Sequence, residues 1–405
     1  VRSTADYTAR SVARAGAARQ RIAGWLAAVN DRPPGADRDG QPVEASQRPD
    51  GVVLTSPGAV AWACGGGAPP VDRTAGVDLV WAVLTPRGSW LVTTNVEAER
   101  VRTEYDPASH GFAGLAEVPW YEPGAFVAAA AELAGVSPAR LASDGHPGFG
   151  FDASDDLIAL RLTLSPAELD DLADIGADAA HALQSALAEW RPGERDLDIQ
   201  ARCAARLEAA GADTPVLIVG GDDRLAAYRH PMAVGAQVRH LVMAVVVARR
   251  AGLHVALTRF ASAGPVEADY AVLHAKVLAI EAAVLAASKP GATYGEVLDT
   301  LASAYEASGA ISGWTGHYQG GPIGFAQREF EIAPGQSESR WYQEPVAAGQ
   351  AIAWNPSLPG GAKAEDTYLI APDGQLSRLT DAPGWPTQVN DDWRQRRPAI
   401  LEVGT

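Results

Sequence analysis

Residues 165–193 fix one helix at its start, its face and its end. Ser165 stands at the N-cap position, Pro166 at the first helical position, and Glu168 completes a capping-box pattern. Leu169, Leu172, Ile175, Ala179, Leu183 and Leu187 then recur at helical spacing, so one face is apolar. Pro192-Gly193 stops it. A helix begun this firmly, after 160 residues of mixed strand and helix signals, opens a new structural unit.

The chain ahead of it reads as an α/β domain over 1–160. Residues 1–30 carry alanines and spaced apolar positions of a helix, and 31–50 form a polar loop rich in Pro, Gly and Asp. Gly51–Leu54, Leu79–Leu84 and Trp90–Thr94 are apolar strand runs, the last two joined by Pro86-Arg87-Gly88 as a hairpin. A short helix is expected from Ala59, and an Ala-rich one over 124–135. The chain after it, 161–405, reads as two helices, strands, two helices, then strand and loop, an α+β order. Strands are expected at Pro215–Gly220, Leu241–Ala248, Leu253–Phe260, Gln350–Trp354 and Thr367–Ile370. Helices are expected at 195–210, 267–287 and 295–308.

Charge excludes one class of partner. The net charge is −16, so no cationic surface for nucleic acid is expected. Arg carries nearly all the positive charge, because the lysines are only Lys276, Lys289 and Lys363. Two cysteines, Cys64 and Cys203, make no disulfide framework, and Cys203 fits a buried helix face. No apolar run of the ~18 residues that a bilayer requires is expected, nor a signal-peptide core, which reads as a cytoplasmic protein without membrane contact.

Chemistry concentrates in three stretches. Trp314–Glu329 holds His317 with glycines after it and the pair Arg328-Glu329. Tyr228-Arg229-His230-Pro231 is the second. Trp354-Asn355-Pro356-Ser357, followed by Lys363-Ala364-Glu365-Asp366-Thr367, is the third. Histidine is the side chain suited to proton transfer near neutral pH, Arg to gripping a carboxylate, Glu to holding a cationic or NH-bearing group, and Asn to a neutral amide. Gly220-Gly221 lacks the spacing of a phosphate loop, and no Ser lies in a nucleophile elbow.

In this order the capped helix with Arg191-Pro192-Gly193, His230-Pro231, Leu257-Thr258-Arg259, His317 with its glycines, and Glu365-Asp366 resemble the creatinase, aminopeptidase P and prolidase superfamily, the pita-bread fold. The resemblance runs from Ser165 to the end, and more loosely through a smaller creatinase-type N-terminal domain at Leu54-Thr55-Ser56-Pro57 and Trp62–Gly65. It implies an α+β catalytic domain at 161–405. The peptidases of that family hold two metal ions on Asp, Asp, His, Glu and Glu. With Thr258-Arg259 fixing the frame, those positions are Val245, Ala256, His317, Asn355 and Glu365 here. Val and Ala offer no donor atoms, and a neutral Asn does not replace a bridging carboxylate. The resemblance therefore narrows to metal-free creatinase, with no metal and no cofactor expected.

That narrower resemblance implies His230, His317 and Glu365 as catalytic residues. It implies Arg328, Glu329, Asn355 and Arg73 as substrate-binding residues. His317 precedes Arg328-Glu329 by eleven residues, and Arg73 follows Gly65 by eight, as in creatinase, where the second Arg comes from the neighbouring subunit. A homodimer with shared sites is thus expected. Creatinase uses a Glu at the position of Ala256, so half of its guanidinium clamp is missing here. The expected function is a metal-independent hydrolase cleaving a C–N bond, or a related rearrangement, in a small amide- or guanidine-like substrate with a carboxylate. The alternative is a non-catalytic peptide- or ligand-binding protein on a dead Xaa-Pro aminopeptidase fold.

Overall fold

The computed structural model describes residues 4–31, 48–67, 70–389 and 396–404. Most of the expected 31–50 loop lies outside them. The chain forms two compact units. The first is Val1–Arg161 with Ser165–Glu168 and Ala251–Leu253; the second is Leu162–Leu164, Leu169–Arg250 and His254–Thr405.

In the first unit a helix, Thr4–Asn30, precedes a six-stranded mixed sheet. Its strands are β1 (Gly51–Leu54), β2 (Val80–Thr85), β3 (Gly88–Thr94), β4 (Gly114–Val118), β5 (Leu141–Ser143) and β6 (Phe151–Asp152), in the order β4-β3-β2-β1-β5-β6. Every residue of β1 is buried, as an unbroken apolar run on a central strand requires. The expected hairpin joins β2 to β3, with Thr85 opposite Gly88. Val53, Trp81, Val83, Val92 and Leu141 pack with Ala130 and Ala134 of the helix Ala125–Ala134.

The second unit carries two larger sheets. One contains β7 (Asp213–Gly221), β8 (Leu241–Arg250) and β9 (Leu253–Ala263). The other is β10 (Gly320–Ile323), β11 (Ala351–Trp354), β12 (Tyr368–Ile370) and β13 (Leu376–Arg378), in that order. A small pair, β14 (Thr387–Gln388) and β15 (Arg397–Pro398), follows. Finally β16 (Leu401–Val403) returns to β9, giving the order β16-β9-β8-β7.

The helix start at 165 is only half the expected capping box. The Ser165 amide donates to Glu168 Oε2 at 2.6 Å, but the Ser165 hydroxyl is buried without a hydrogen-bond partner among the described residues. A complete box forms instead at Thr293 and Glu296, where the helix Tyr294–Ala307 begins.

The helix Ala268–Ala287 corrects one expectation, since by length and composition it could cross a membrane. In this fold its inner face is core: Val277, Leu278, Ile280, Val284 and Leu285 are buried there. The same face carries Glu281, paired with the buried Arg397. Both cysteines are buried and free, and burial pushes each thiol up to about 12, so neither is a nucleophile at neutral pH.

Candidate functional site

Three loops of the second unit bring the site together. The first carries His230. Its Pro231 neighbour packs so closely on Gly220, at the end of β7, that a Cβ on Gly220 would lie 2.6 Å from the proline Cβ. That glycine is therefore needed for close approach rather than for turning, and it sets the height of His230 over the sheet. The second loop ends in a 3-10 turn, Gly313–Gly316, that delivers His317 to β10. The third is a tight return between Ser357 and Lys363, which face each other as an antiparallel bridge. Gly360 and Gly361 make that return at φ of +98° and +91°, and a Cβ on Gly361 would strike Leu225.

The two histidines meet. Their Nε2 atoms are 3.2 Å apart. His317 Nδ1 lies 2.6 Å from the Tyr318 carbonyl, which only accepts, so Nδ1 carries the hydrogen. Burial first, then the Lys363 ammonium and His230, push the His317 pKa down to about 3. At neutral pH its Nε2 is therefore a bare lone pair. His230 must turn a hydrogen toward it, since two lone pairs at 3.2 Å repel. In neutral His230 the free lone pair is then on Nδ1. Burial, followed by the positive charge of Lys363, lowers the His230 pKa below 6.5.

A lysine completes the cluster. Lys363 is 3 % exposed, and its Nζ lies 3.4 Å from His317 Nε2. Burial pushes its pKa down to about 8, with Glu365 opposing and Arg328 and Arg229 adding to the fall. Arg229, beside His230 in sequence, donates from Nη1 to the Ser357 hydroxyl at 3.1 Å. Sequence reasoning assigned neither residue a role. The signal was present: Lys363 is one of three lysines in an acidic chain and stands two residues before Glu365.

Glu365 is buried and anchored twice, accepting from Arg328 Nη2 at 3.0 Å and from Thr258 Oγ1 at 3.2 Å. Arg328 also donates from Nη1 to the Gln327 carbonyl at 2.6 Å. The carboxylate that Arg328 holds is thus the protein's own. Glu329 is buried, and its Oε1 accepts from the Phe325 amide at 2.7 Å, a loop-shaping contact. The Asn355 amide nitrogen of the backbone donates to the Gln319 carbonyl at 2.8 Å, while its side-chain Oδ1 is buried with no hydrogen-bond partner among the described residues. Arg73 is exposed in the first unit. His254 is buried with Nδ1 3.1 Å from the Gly324 carbonyl, as a core histidine should be.

These residues do not fit a dinuclear metal centre. Val245 packs in an apolar cluster with Ile218, Leu225, Met243 and Phe260, and Ala256 is fully buried. Of the remaining donors, His317 Nε2 is faced by an ammonium and Glu365 by a guanidinium. A dication there would meet repulsion from both. Among the described residues, no three His, Cys, Asp or Glu side chains cluster as a metal site. The local balance is instead cationic: Lys363, Arg229 and Arg328 against Glu365.

Fold and sequence agree on a family. Residues 171–372 match Metallopeptidase family M24. The chain belongs to the creatinase and aminopeptidase P superfamily with the pita-bread fold. Among solved structures it is similar to the dipeptidase PepE from Mycobacterium ulcerans, with 20% identity over 100% of both chains and a TM-score of 0.68. It is also similar to prolidase from Pyrococcus furiosus, at 19% identity, 82% of this chain, 96% of that one and a TM-score of 0.62. The N-terminal domain of the FACT complex subunit SPT16 from Cicer arietinum shares the fold too, at 14% identity, 91% and 96% coverage and a TM-score of 0.60. No curated protein matches the chain by sequence.

Proposed function

We propose that this protein is a metal-independent, creatinase-like hydrolase that cleaves a C–N bond in a small amide- or guanidine-like substrate bearing a carboxylate. The observation that carries this reading is the His230–His317 pair, with its Nε2 atoms 3.2 Å apart. Neutral His317 orients His230 by accepting its Nε2 hydrogen, and His230 Nδ1 is left as the base. It takes a proton from water, whose oxygen adds to the substrate carbon. The same proton then passes to the leaving nitrogen as the C–N bond breaks. Glu365, fixed by Arg328 and Thr258, is placed to hold an NH-bearing group, and the orphaned Asn355 Oδ1 is an acceptor suited to a substrate amide. The names of the neighbours, dipeptidase and prolidase, agree with a small substrate and a C–N bond. In this reading the protein works as a homodimer in the cytoplasm, with Arg73 reaching the neighbouring subunit's site.

The loss of three metal-donor positions in an otherwise intact fold favours a second reading, a non-catalytic binding protein, and an SPT16 domain shares that fold. The deciding experiment is turnover of dipeptides, N-acyl amino acids and guanidino acids with and without a chelator. Hydrolysis that survives the chelator is expected, and His230→Ala should lower it by roughly 10²–10⁴-fold with binding intact. Because His230 acts as a neutral base with a lowered pKa, the rate should hold as pH falls to 6.5 and decline only below it. Activity that vanishes with the chelator and returns with manganese would end this reading. Binding without any turnover would establish the second.

A further inference from the structure

The site holds more positive charge than its own carboxylate uses, and the surplus lies in one place. Arg328 is committed, Nη2 to Glu365 and Nη1 to the Gln327 carbonyl. Lys363 and Arg229 are not. Among the described residues neither forms an ion pair: Lys363 hydrogen-bonds only to the lone pair of His317 Nε2, with Glu365 attracting it from beyond contact, and Arg229 uses Nη1 on the neutral Ser357 hydroxyl.

Three independent contacts put these two cations side by side. Ser357 and Lys363 oppose each other in a bridge, which sets their Cβ atoms about 4.5–5.5 Å apart on one face. Arg229 touches the Ser357 side chain from that face. Arg229 Nη2 also lies 3.7 Å from where a Cβ on Gly316 would stand, one residue before His317. An ammonium that is 3 % exposed, with three hydrogens and one acceptor in reach, is costly unless an anion joins it.

We propose that Lys363 and Arg229 form an anion subsite that receives the substrate's carboxylate against the histidine pair, and that Arg328 serves to hold Glu365. The inference rests on the reading of the ligand as a small carboxylate, but not on its hydrolysis. Lys363 thereby supplies a cation where the donor set no longer suits a metal. The carboxylate takes hydrogens from Lys363 Nζ and from the free side of the Arg229 fork, a charge-assisted arrangement. It also relieves the donor competition at His317 Nε2, because Lys363 then has an acceptor of its own.

The test is calorimetric titration of the full chain with N-acetylglycine and with N-acetylglycinamide, which differs by having no carboxylate. N-Acetylglycine should bind more tightly by at least tenfold. Lys363→Met and Arg229→Gln should each weaken it about 10- to 100-fold, the worth of a charge-assisted contact. Arg328→Gln should weaken it less than either. Lys363→Gln, which keeps a polar head group, should behave like Lys363→Met, and a cooperative thermal melt no lower than the parent's shows that each variant is folded. The proposal is overturned if folded Lys363→Met and Lys363→Gln bind N-acetylglycine like the parent, if Arg328→Gln has the larger effect, or if the parent prefers the amide. The hydrolase reading fails separately: carboxylate binding that depends on Lys363, with no substrate turned over, leaves the subsite standing and removes the hydrolase.

Discussion

Glu365 and Asp366 are neighbours in the chain and belong to opposite kinds of charge cluster. Glu365 faces the histidines, where Lys363, Arg229 and Arg328 outnumber it. Asp366 belongs to a buried network. It accepts from Arg259 Nη2 at 2.8 Å and from Thr380 Oγ1 at 2.7 Å, with Arg397 at 4.0 Å. Arg397 pairs with Glu281 on the long helix. Two guanidiniums meet two carboxylates there, and all four are buried. A buried cluster with matched charge pairs its ions within the fold and supports it, although Arg397 Nε and Nη1 have no hydrogen-bond partner among the described residues. A cluster with surplus cations has charge left over for the ligand proposed above. The contrast separates structure from function more sharply than burial alone, since Lys363 is as buried as Asp366.

The largest effect should come from breaking the matched network. Arg397→Met strands Glu281 in the core and should cost roughly 3–5 kcal/mol in urea unfolding, whereas Arg397→Met with Glu281→Met should recover most of it. A small loss in the single variant would show that the Arg397–Glu281 pair does not hold the fold.

Acid should act on both clusters alike. Burial pushes His274, behind the site, down to about 4, and His317, within it, to about 3. Both folded values lie below the unfolded 6.5. The unfolded chain therefore takes protons first, and stability present above pH 6.5 is lost as pH falls toward the folded values. For His274 the loss should reach roughly 2–3 kcal/mol by pH 4, seen as a flatter stability–pH slope in His274→Gln. An unchanged slope in that variant would remove burial as the cause.

The smallest stability change should follow Lys363→Met. Removing an unpaired buried cation should alter unfolding free energy by no more than about 1 kcal/mol, in the stabilising direction, while anion affinity falls. A loss of several kcal/mol would place Lys363 in the structural class with Arg397.

Helix and strand positions were legible because their signals are local. The apolar stripe from Leu169 to Leu187 and the runs at 241–248 and 253–260 became a helix (Pro166–Ala188) and two strands at nearly those bounds. His230 and His317 could be singled out as well, because Pro231 and the glycines beside His317 mark loops that present a side chain. The resemblance, framed on Thr258-Arg259, also marked 245, 256 and 355 as ligand positions that carry no carboxylate here.

Which charge meets which could not be read that way. Lys363, two residues from Glu365, is the obvious ion-pair partner in one dimension; Arg328, 37 residues away, is the actual one. A strand residue and its second neighbour point to the same face but diverge when the chain turns between them, and the approach of β10 decides which arginine arrives. The Ser357–Lys363 bridge, the seat of Pro231 on Gly220 and the pairing of Glu281 with Arg397 are likewise products of packing between distant segments. The sequence alone determined the elements and the chemical inventory of the site. Only the tertiary structure decided which cations are spent on the protein's own carboxylates and which remain for a ligand, because pairing depends on distances that loops and sheets set together.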